Sequence, residues 1–255
     1  MKKFRIASLA SEVAPFSKTG GLGDVTRSLP KSLKRLGHDV IVITPLYRQL
    51  IDADALGLKK ISDDIELRIG KEFTMPVSFY KGELMRGLPI YFIAADHYFA
   101  RKKTLYGSAS DNRRFYVFDV AALKLLLLLQ FKPDIIHCHD WHTGLVPELM
   151  KKQFGQSETL ANAATVFTLH NLAFQFGHNW WEVPGPERDN GLTQLPDIND
   201  ETLIERINFT KRAILYADVL NAVSETYAAE ILNKNYGQDL HRILQNRKDK
   251  LFGVL

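Results

Sequence analysis

The strongest constraint on this chain is an alternation that recurs along its length. Short apolar runs rich in β-branched residues are each followed by a turn and then by a stretch of helical period. Residues 4–9, 40–43, 134–137, 165–169 and 219–223 read as strands. Residues 24–36, 113–130, 142–154, 200–216, 224–234 and 239–247 read as helices. Strands that alternate with helices build parallel βα units. The first helix shows the pattern clearly: Val25, Leu29, Leu33 and Leu36 recur every three to four residues, and Gly37 stops the run. Between residues 65 and 94 the period falls toward two, with Ile65, Leu67 and Ile69 alternating with charged residues. That is hairpin material set into the α/β frame. The expected fold is therefore α/β: a Rossmann-like parallel sheet flanked by helices, with an inserted hairpin region. Residues 174–196 carry Gly, Pro and two Trp without any period and read as a long functional loop or flap.

Composition narrows the class. Of 255 residues, 45% are hydrophobic and 24% charged, which excludes a disordered or collagen-like chain. The net charge is +4, and the basic residues are scattered in pairs such as Lys59-Lys60 and Arg113-Arg114. A nucleic-acid surface would cluster them, so no nucleic-acid partner is expected. The lone Cys138 rules out an intramolecular disulfide and suits a reducing compartment. Arg5 and Glu12 interrupt the apolar N-terminus too early for a secretory leader. The apolar run 125–129 is far shorter than the ~20 residues a membrane span needs, and Asp119 and Lys124 lie within the window such a span would require. A protein of the cytoplasm or an organelle stroma is expected, with no membrane partner.

Three strands end in chemically loaded turns. In open parallel sheets, ligands bind beyond the carboxyl ends of the strands. The first turn is Ser17-Lys18-Thr19-Gly20-Gly21-Leu22-Gly23-Asp24. Its glycines let a ligand approach the backbone, the helix that follows offers N–H groups to an anion, and Lys18 adds a positive charge. The spacing is neither that of a dinucleotide fingerprint nor that of a P-loop. A tight turn with a surface lysine accounts for it equally well at this stage. The second turn is His137-Cys138-His139-Asp140-Trp141-His142. On a strand, His137 and His139 face one side, as two metal ligands would. In the His-x-His-x-Asp-His pattern of dinuclear metallo-hydrolases, however, Trp141 stands where the bridging Asp belongs. No metal is expected. Asp140 and His142 as hydrogen-bonding groups, with Trp141 as an apolar platform, suit a sugar better. The third turn is Thr168-Leu169-His170-Asn171. Glu12 and Tyr106 are further groups that could face the same crevice.

Taken together, these residues resemble the N-terminal half of the bacterial glycogen synthase and plant starch synthase family. The resemblance runs from Ser11-Glu12-Val13-Ala14-Pro15-Phe16 and Lys18-Thr19-Gly20-Gly21-Leu22-Gly23-Asp24 through Asp111-Asn112-Arg113-Arg114-Phe115. It continues with His139-Asp140-Trp141-His142-Thr143 and Thr168-Leu169-His170-Asn171-Leu172-Ala173, and reaches Gly253-Val254-Leu255. It implies a retaining glucosyltransferase of the two-domain GT-B type. Such an enzyme moves glucose from ADP-glucose, or UDP-glucose in some relatives, to the non-reducing end of an α-1,4-glucan. ADP-glucose is then a co-substrate, and no cofactor is required. By the same resemblance, Lys18, Gly20 and Gly21 bind the donor, and His170 and Asp140 are catalytic. Glu12, Tyr106, Trp141 and Asn171 line the acceptor side.

Three departures stand out. Residues 177–200 do not follow the family's usual text, Arg212 and Ala213 stand where small residues are commoner, and Ser224-Glu225 replaces Ser-Pro. Residues 1–255 are expected to form the acceptor-side domain alone, with the C-terminal nucleotide-sugar domain absent. That domain is the expected partner, in cis or in trans, and the chain alone is expected to be inactive. The competing expectation is a non-enzymatic domain that binds α-glucan or maltooligosaccharides.

Overall fold

The computed structural model describes residues 2–62, 64–69, 73–100 and 104–254. Among the described residues, seven parallel strands form the body of one sheet: β1 (Arg5–Leu9), β2 (Asp39–Pro45), β6 (Leu88–Ala94), β7 (Ile135–His139), β8 (Ala164–Leu169), β9 (Val219–Ala222) and β10 (Leu251–Gly253). The hairpin insert adds antiparallel strands β3 (Lys59–Lys60), β4 (Ile65–Ile69) and β5 (Phe73–Met85). The spatial order is β10-β9-β8-β7-β1-β2-β6-β5-β3, with β4 pairing β5 off that path. The expected hairpin run 65–94 includes residues 70–72, which lie outside the described residues.

The chain order reverses on either side of β1, whose neighbours are β2 and β7. That is a topological switch point, where loops diverge and leave a crevice. Ala7 and Leu9 on β1, Val40, Val42 and Ile43 on β2, Ile136 and Cys138 on β7, and Phe167 and Leu169 on β8 are all buried. Burial on both faces is why these strands read as nearly continuous apolar runs.

Eight helices cover the sheet among the described residues: α1 (Gly21–Arg35), α2 (Asp96–Phe99), α3 (Asp111–Leu128), α4 (Val146–Leu149), α5 (Glu201–Ile204), α6 (Phe209–Tyr216), α7 (Glu225–Glu230) and α8 (His241–Gln245). Fourteen of the eighteen residues of α3 are buried, so it is packed on nearly every side. Leu125 and Leu126 of the apolar 125–129 run are core, while Leu128 at the end of α3 is exposed. Among the described residues no helix is long and apolar enough to cross a membrane.

The structure corrects several expected elements. The first helix begins at Gly21 rather than residue 24, which puts Gly21 at its first position. The expected helix 142–154 is instead a 3₁₀ turn (Trp141–Thr143), the short α4 and a π turn (Met150–Phe154). Gly144 lies so close to the Phe209 carbonyl that a Cβ there would clash. The Asp119 carboxylate accepts the Leu145 N–H at 3.0 Å, which caps a new start. The expected helix 200–216 is split into α5 and α6. The Asn208 side chain accepts the Lys211 N–H at 2.8 Å and starts α6 afresh. Asn112 donates to the Ile204 and Ile207 carbonyls and ends the first piece.

Candidate active site

The carboxyl ends of β1, β7 and β8 lie side by side. Leu9 is in register with Cys138, and His139 with Thr168. Neighbouring strands are ~4.8 Å apart, so groups just beyond these ends fall within about 10 Å of one another. A cleft of about 1110 Å³ opens there. Glu12, Gly20, Gly21, Tyr106, Asp140, Trp141, His170 and Asn171 all line it. Lys18 does not. Its stem lies across Gly23, and its Nζ pairs with Asp24 at 2.7 Å on the exposed surface.

The glycine-rich turn is held from beneath. The Glu12 carboxylate accepts both the backbone N–H and the hydroxyl of Thr19, while the Glu12 carbonyl accepts the Thr26 hydroxyl at 2.6 Å. Burial raises the Glu12 pKa, and the Thr19 hydrogen bonds oppose the rise. Gly20 caps α1 without any side-chain hydrogen bond. A Cβ at Gly20 or Gly21 would meet no protein atom. Packing therefore does not demand glycine at either position; what the missing side chains leave is open backbone N–H at a helix N-terminus facing the cleft.

Asp140 stands at the tip of β7 with φ 62° and ψ 176°. A non-glycine residue pays of order 1–3 kcal/mol for such a conformation, and strain of this kind collects at functional sites. Burial pushes its carboxyl pKa up to about 7, although the backbone N–H groups of Trp141, His170 and Asn171 work the other way. The His170 ring lines the cleft, and burial lowers its pKa to about 4, so it is neutral at physiological pH. Asn171 is exposed, and its side chain accepts the Ala173 N–H at 2.9 Å, turning the chain after β8.

The aromatic groups are arranged differently from the sequence reading. Trp141 is 4% exposed; its indole is stacked on His142 at 4.0 Å and packed edge-on against Phe115 and Phe209. It touches the cleft but offers no free platform, because it is part of the core behind it. His142 is held between Trp141 and Tyr106, with ring centroids 4.0 and 4.4 Å away. The Tyr106 hydroxyl hydrogen-bonds Ser11 Oγ at 2.8 Å, which pins that ring beside the turn after β1. The exposed aromatic on the cleft wall is Phe174, at 60%.

Residues 174–182 form one wall of the cleft through Phe174, Phe176, Gly177, His178, Asn179 and Glu182. The expectation of a functional loop pointed to this segment without naming its residues. The signals legible in the sequence were the lack of period that marked 174–196 as a loop and, from Gly177 onward only, departure from the family's usual text. His137 and His139 do face one side of β7, as the strand reading required, and their rings stack at 4.0 Å.

The comparisons fall on the same span. The family model for the starch synthase catalytic domain matches residues 5–246. The chain is similar to a glycogen synthase of Geotalea daltonii, 39% identical over 98% of this chain and 51% of that protein. It is also similar to one of Streptococcus gordonii, 36% identical over 98% of this chain and 52% of that protein. Its structure is similar to the catalytic domain of starch synthase IV from Arabidopsis thaliana bound to ADP and acarbose. That match has a TM-score of 0.81 and 32% identity, covering all of this chain and 52% of the other. The chain spans about half the length of the curated relatives it matches. With sequence and fold agreeing from β1 to α8, the chain belongs to the starch synthase catalytic domain family.

Proposed function

We propose that this chain is the acceptor-side half of a retaining glucosyltransferase that moves glucose from ADP-glucose to the non-reducing end of an α-1,4-glucan. The observation that carries the reading is the meeting of Glu12, Asp140, His170 and Asn171 with the open N-terminus of α1 in one cleft. The Arabidopsis relative, bound to ADP and acarbose, supports a nucleotide and an oligosaccharide as ligands.

Glucosyl transfer develops positive charge on the sugar while a diphosphate leaves. Donors fixed before the reaction stabilise the leaving group more than mobile water does. In this reading Gly20, Gly21 and the first N–H groups of α1 take the phosphates, and Lys18 exchanges Asp24 for them. His170, neutral, donates a hydrogen bond beside the transferred glucose. Asp140, poised near neutrality, faces the sugar hydroxyls with Asn171, and Phe174 offers its ring to a sugar face. A second domain, in cis or in trans, binds the rest of the nucleotide and closes the cleft against water. No cofactor enters the reaction. The same reading puts the protein in the cytoplasm, or in the plastid stroma for a plant source.

The test is glucan elongation from labelled ADP-glucose on maltooligosaccharides. The purified 255-residue chain is expected to be inactive, and activity is expected when the complementary domain is fused or added. Elongation by the chain alone would overturn the two-domain reading. The ion pair that draws Lys18 out of the cleft favours a second reading, a domain that binds α-glucan without catalysis. That reading requires maltooligosaccharide binding without any ADP-glucose binding that Lys18→Ala removes.

A further inference from the structure

Behind His170 lies a row of buried and half-buried side chains with no part in the proposed chemistry. His137 Nε2 is 2.7 Å from Thr168 Oγ1. Of the two orientations of the Asn221 amide, only one satisfies both of its ends. In that one its oxygen accepts the Thr168 hydroxyl at 3.2 Å, and its nitrogen donates to the Ala222 and Phe252 carbonyls at 3.1 and 3.3 Å. The Thr168 proton is then committed to Asn221, so Thr168 Oγ1 accepts and His137 carries its proton on Nε2. His137 is thereby fixed, and its ring lies flat against His139 at an interplanar angle of 28°.

His139 is fully buried. Its Nδ1 is 3.2 Å from His170 Nε2, and its Nε2 has no partner among the described residues. Two neutral arrangements are possible. If His170 Nε2–H donates to His139 Nδ1, the His139 proton sits on Nε2, where a buried N–H meets no acceptor. If His139 Nδ1–H donates to His170 Nε2, only a lone pair is left unmet. Orphaned buried N–H groups are the rarer and costlier defect. The proton on a neutral imidazole is set by the hydrogen bond its other nitrogen makes.

We propose that His139 is a positioning residue for His170: its Nδ1–H donates to His170 Nε2, fixing the ring and leaving Nδ1–H of His170 as the donor offered to the cleft. His170 Nδ1 has no protein partner among the described residues, which leaves it free for a ligand. Burial holds all three rings neutral, which the arrangement needs. The meaning of this donor rests on the glucosyl-transfer reading, but the hydrogen-bond direction does not.

The experiment is a two-bond ¹H–¹⁵N correlation spectrum of the 255-residue chain with ¹⁵N-labelled histidine at neutral pH. The His170 signals are assigned by their loss in His170→Asn. The wild-type chain is expected to show His170 protonated on Nδ1 and bare on Nε2, with His139 likewise protonated on Nδ1. His139→Phe keeps a ring against His137 and removes the donor, so His170 moves toward the Nε2–H form that a free histidine favours. His139→Asn places an amide N–H near the former Nδ1 and restores the Nδ1–H form. A wild-type His170 protonated on Nε2, or a tautomer unmoved by His139→Phe, would overturn the proposal. The wild-type spectrum decides the question even if neither variant folds. A chain that binds no maltooligosaccharide yet shows the expected tautomer would refute the functional reading and leave the positioning intact.

Discussion

Arg212 is one of the two largest fully buried side chains among the described residues. Its guanidinium donates to both Glu148 oxygens at 2.9 Å and to both Asp189 oxygens at 2.8 and 2.9 Å. It also donates to the Thr193 carbonyl at 3.1 Å. Both carboxylates are at most 2% exposed. Arg212→Met removes the charge but keeps much of the volume. Glu148 would keep Lys152 at 2.7 Å, and Asp189 would keep the Gly191 and Asn208 N–H groups. Stranding buried carboxylates in this way costs about 3–5 kcal/mol. Unfolding entropy of about 2.1 cal/mol/K per residue gives roughly 0.5 kcal/mol/K for this chain, so Tm should fall by about 6–10 °C in a calorimetric scan. Adding Glu148→Gln and Asp189→Asn removes the stranded charges and should restore most of the loss. A single variant within about 2 °C of wild type, or a triple variant as unstable as the single, would refute the argument.

The Asp140 pKa is raised by folding from 3.8 to about 7, so its ionised form costs stability above pH 7, and that cost fades as the pH falls. A rise of about three units corresponds to roughly 4 kcal/mol. His137 and His170 act oppositely: burial lowers each pKa from 6.5 to about 4, so they cost stability as the pH falls from 6.5 toward 4. Asp140→Asn should therefore be more stable than wild type at pH 8 and lose stability more steeply below pH 6.5; parallel Tm-versus-pH curves would contradict this. Gly21→Ala meets no protein atom and sits at the first position of α1, so its Tm should hold or rise slightly. The assembled enzyme should nevertheless lose at least about tenfold in kcat/KM, or ~1.4 kcal/mol of transition-state stabilisation, if the diphosphate approaches that backbone. Unchanged turnover would rule out that approach.

The strands β1, β2, β7, β8 and β9 were legible because a doubly covered parallel strand is apolar along nearly its whole length, a local property of the chain. The loaded strand tips were legible for a similar reason: Asp140 and His170 each follow such a run directly, and the glycine-rich turn at Gly20 lies between β1 and α1. The breaks at Gly144 and Asn208 were not legible. They depend on Phe209, Asp119 and Asn112, which are distant in sequence. Strand β10 is three residues long and carries too little period to read.

The local order of residues was enough to determine the class of fold and the edge of the sheet at which chemistry gathers, because both follow from periodicity and from what ends each strand. It could not decide how side chains share that edge. Lys18 turned to Asp24, Trp141 sank into the core, Phe174 took the exposed wall, and His139 came up behind His170. The placing of Trp141 against Phe115 and Phe209 and of His139 beside His170 depends on which groups distant in sequence become neighbours, and only packing in three dimensions sets that.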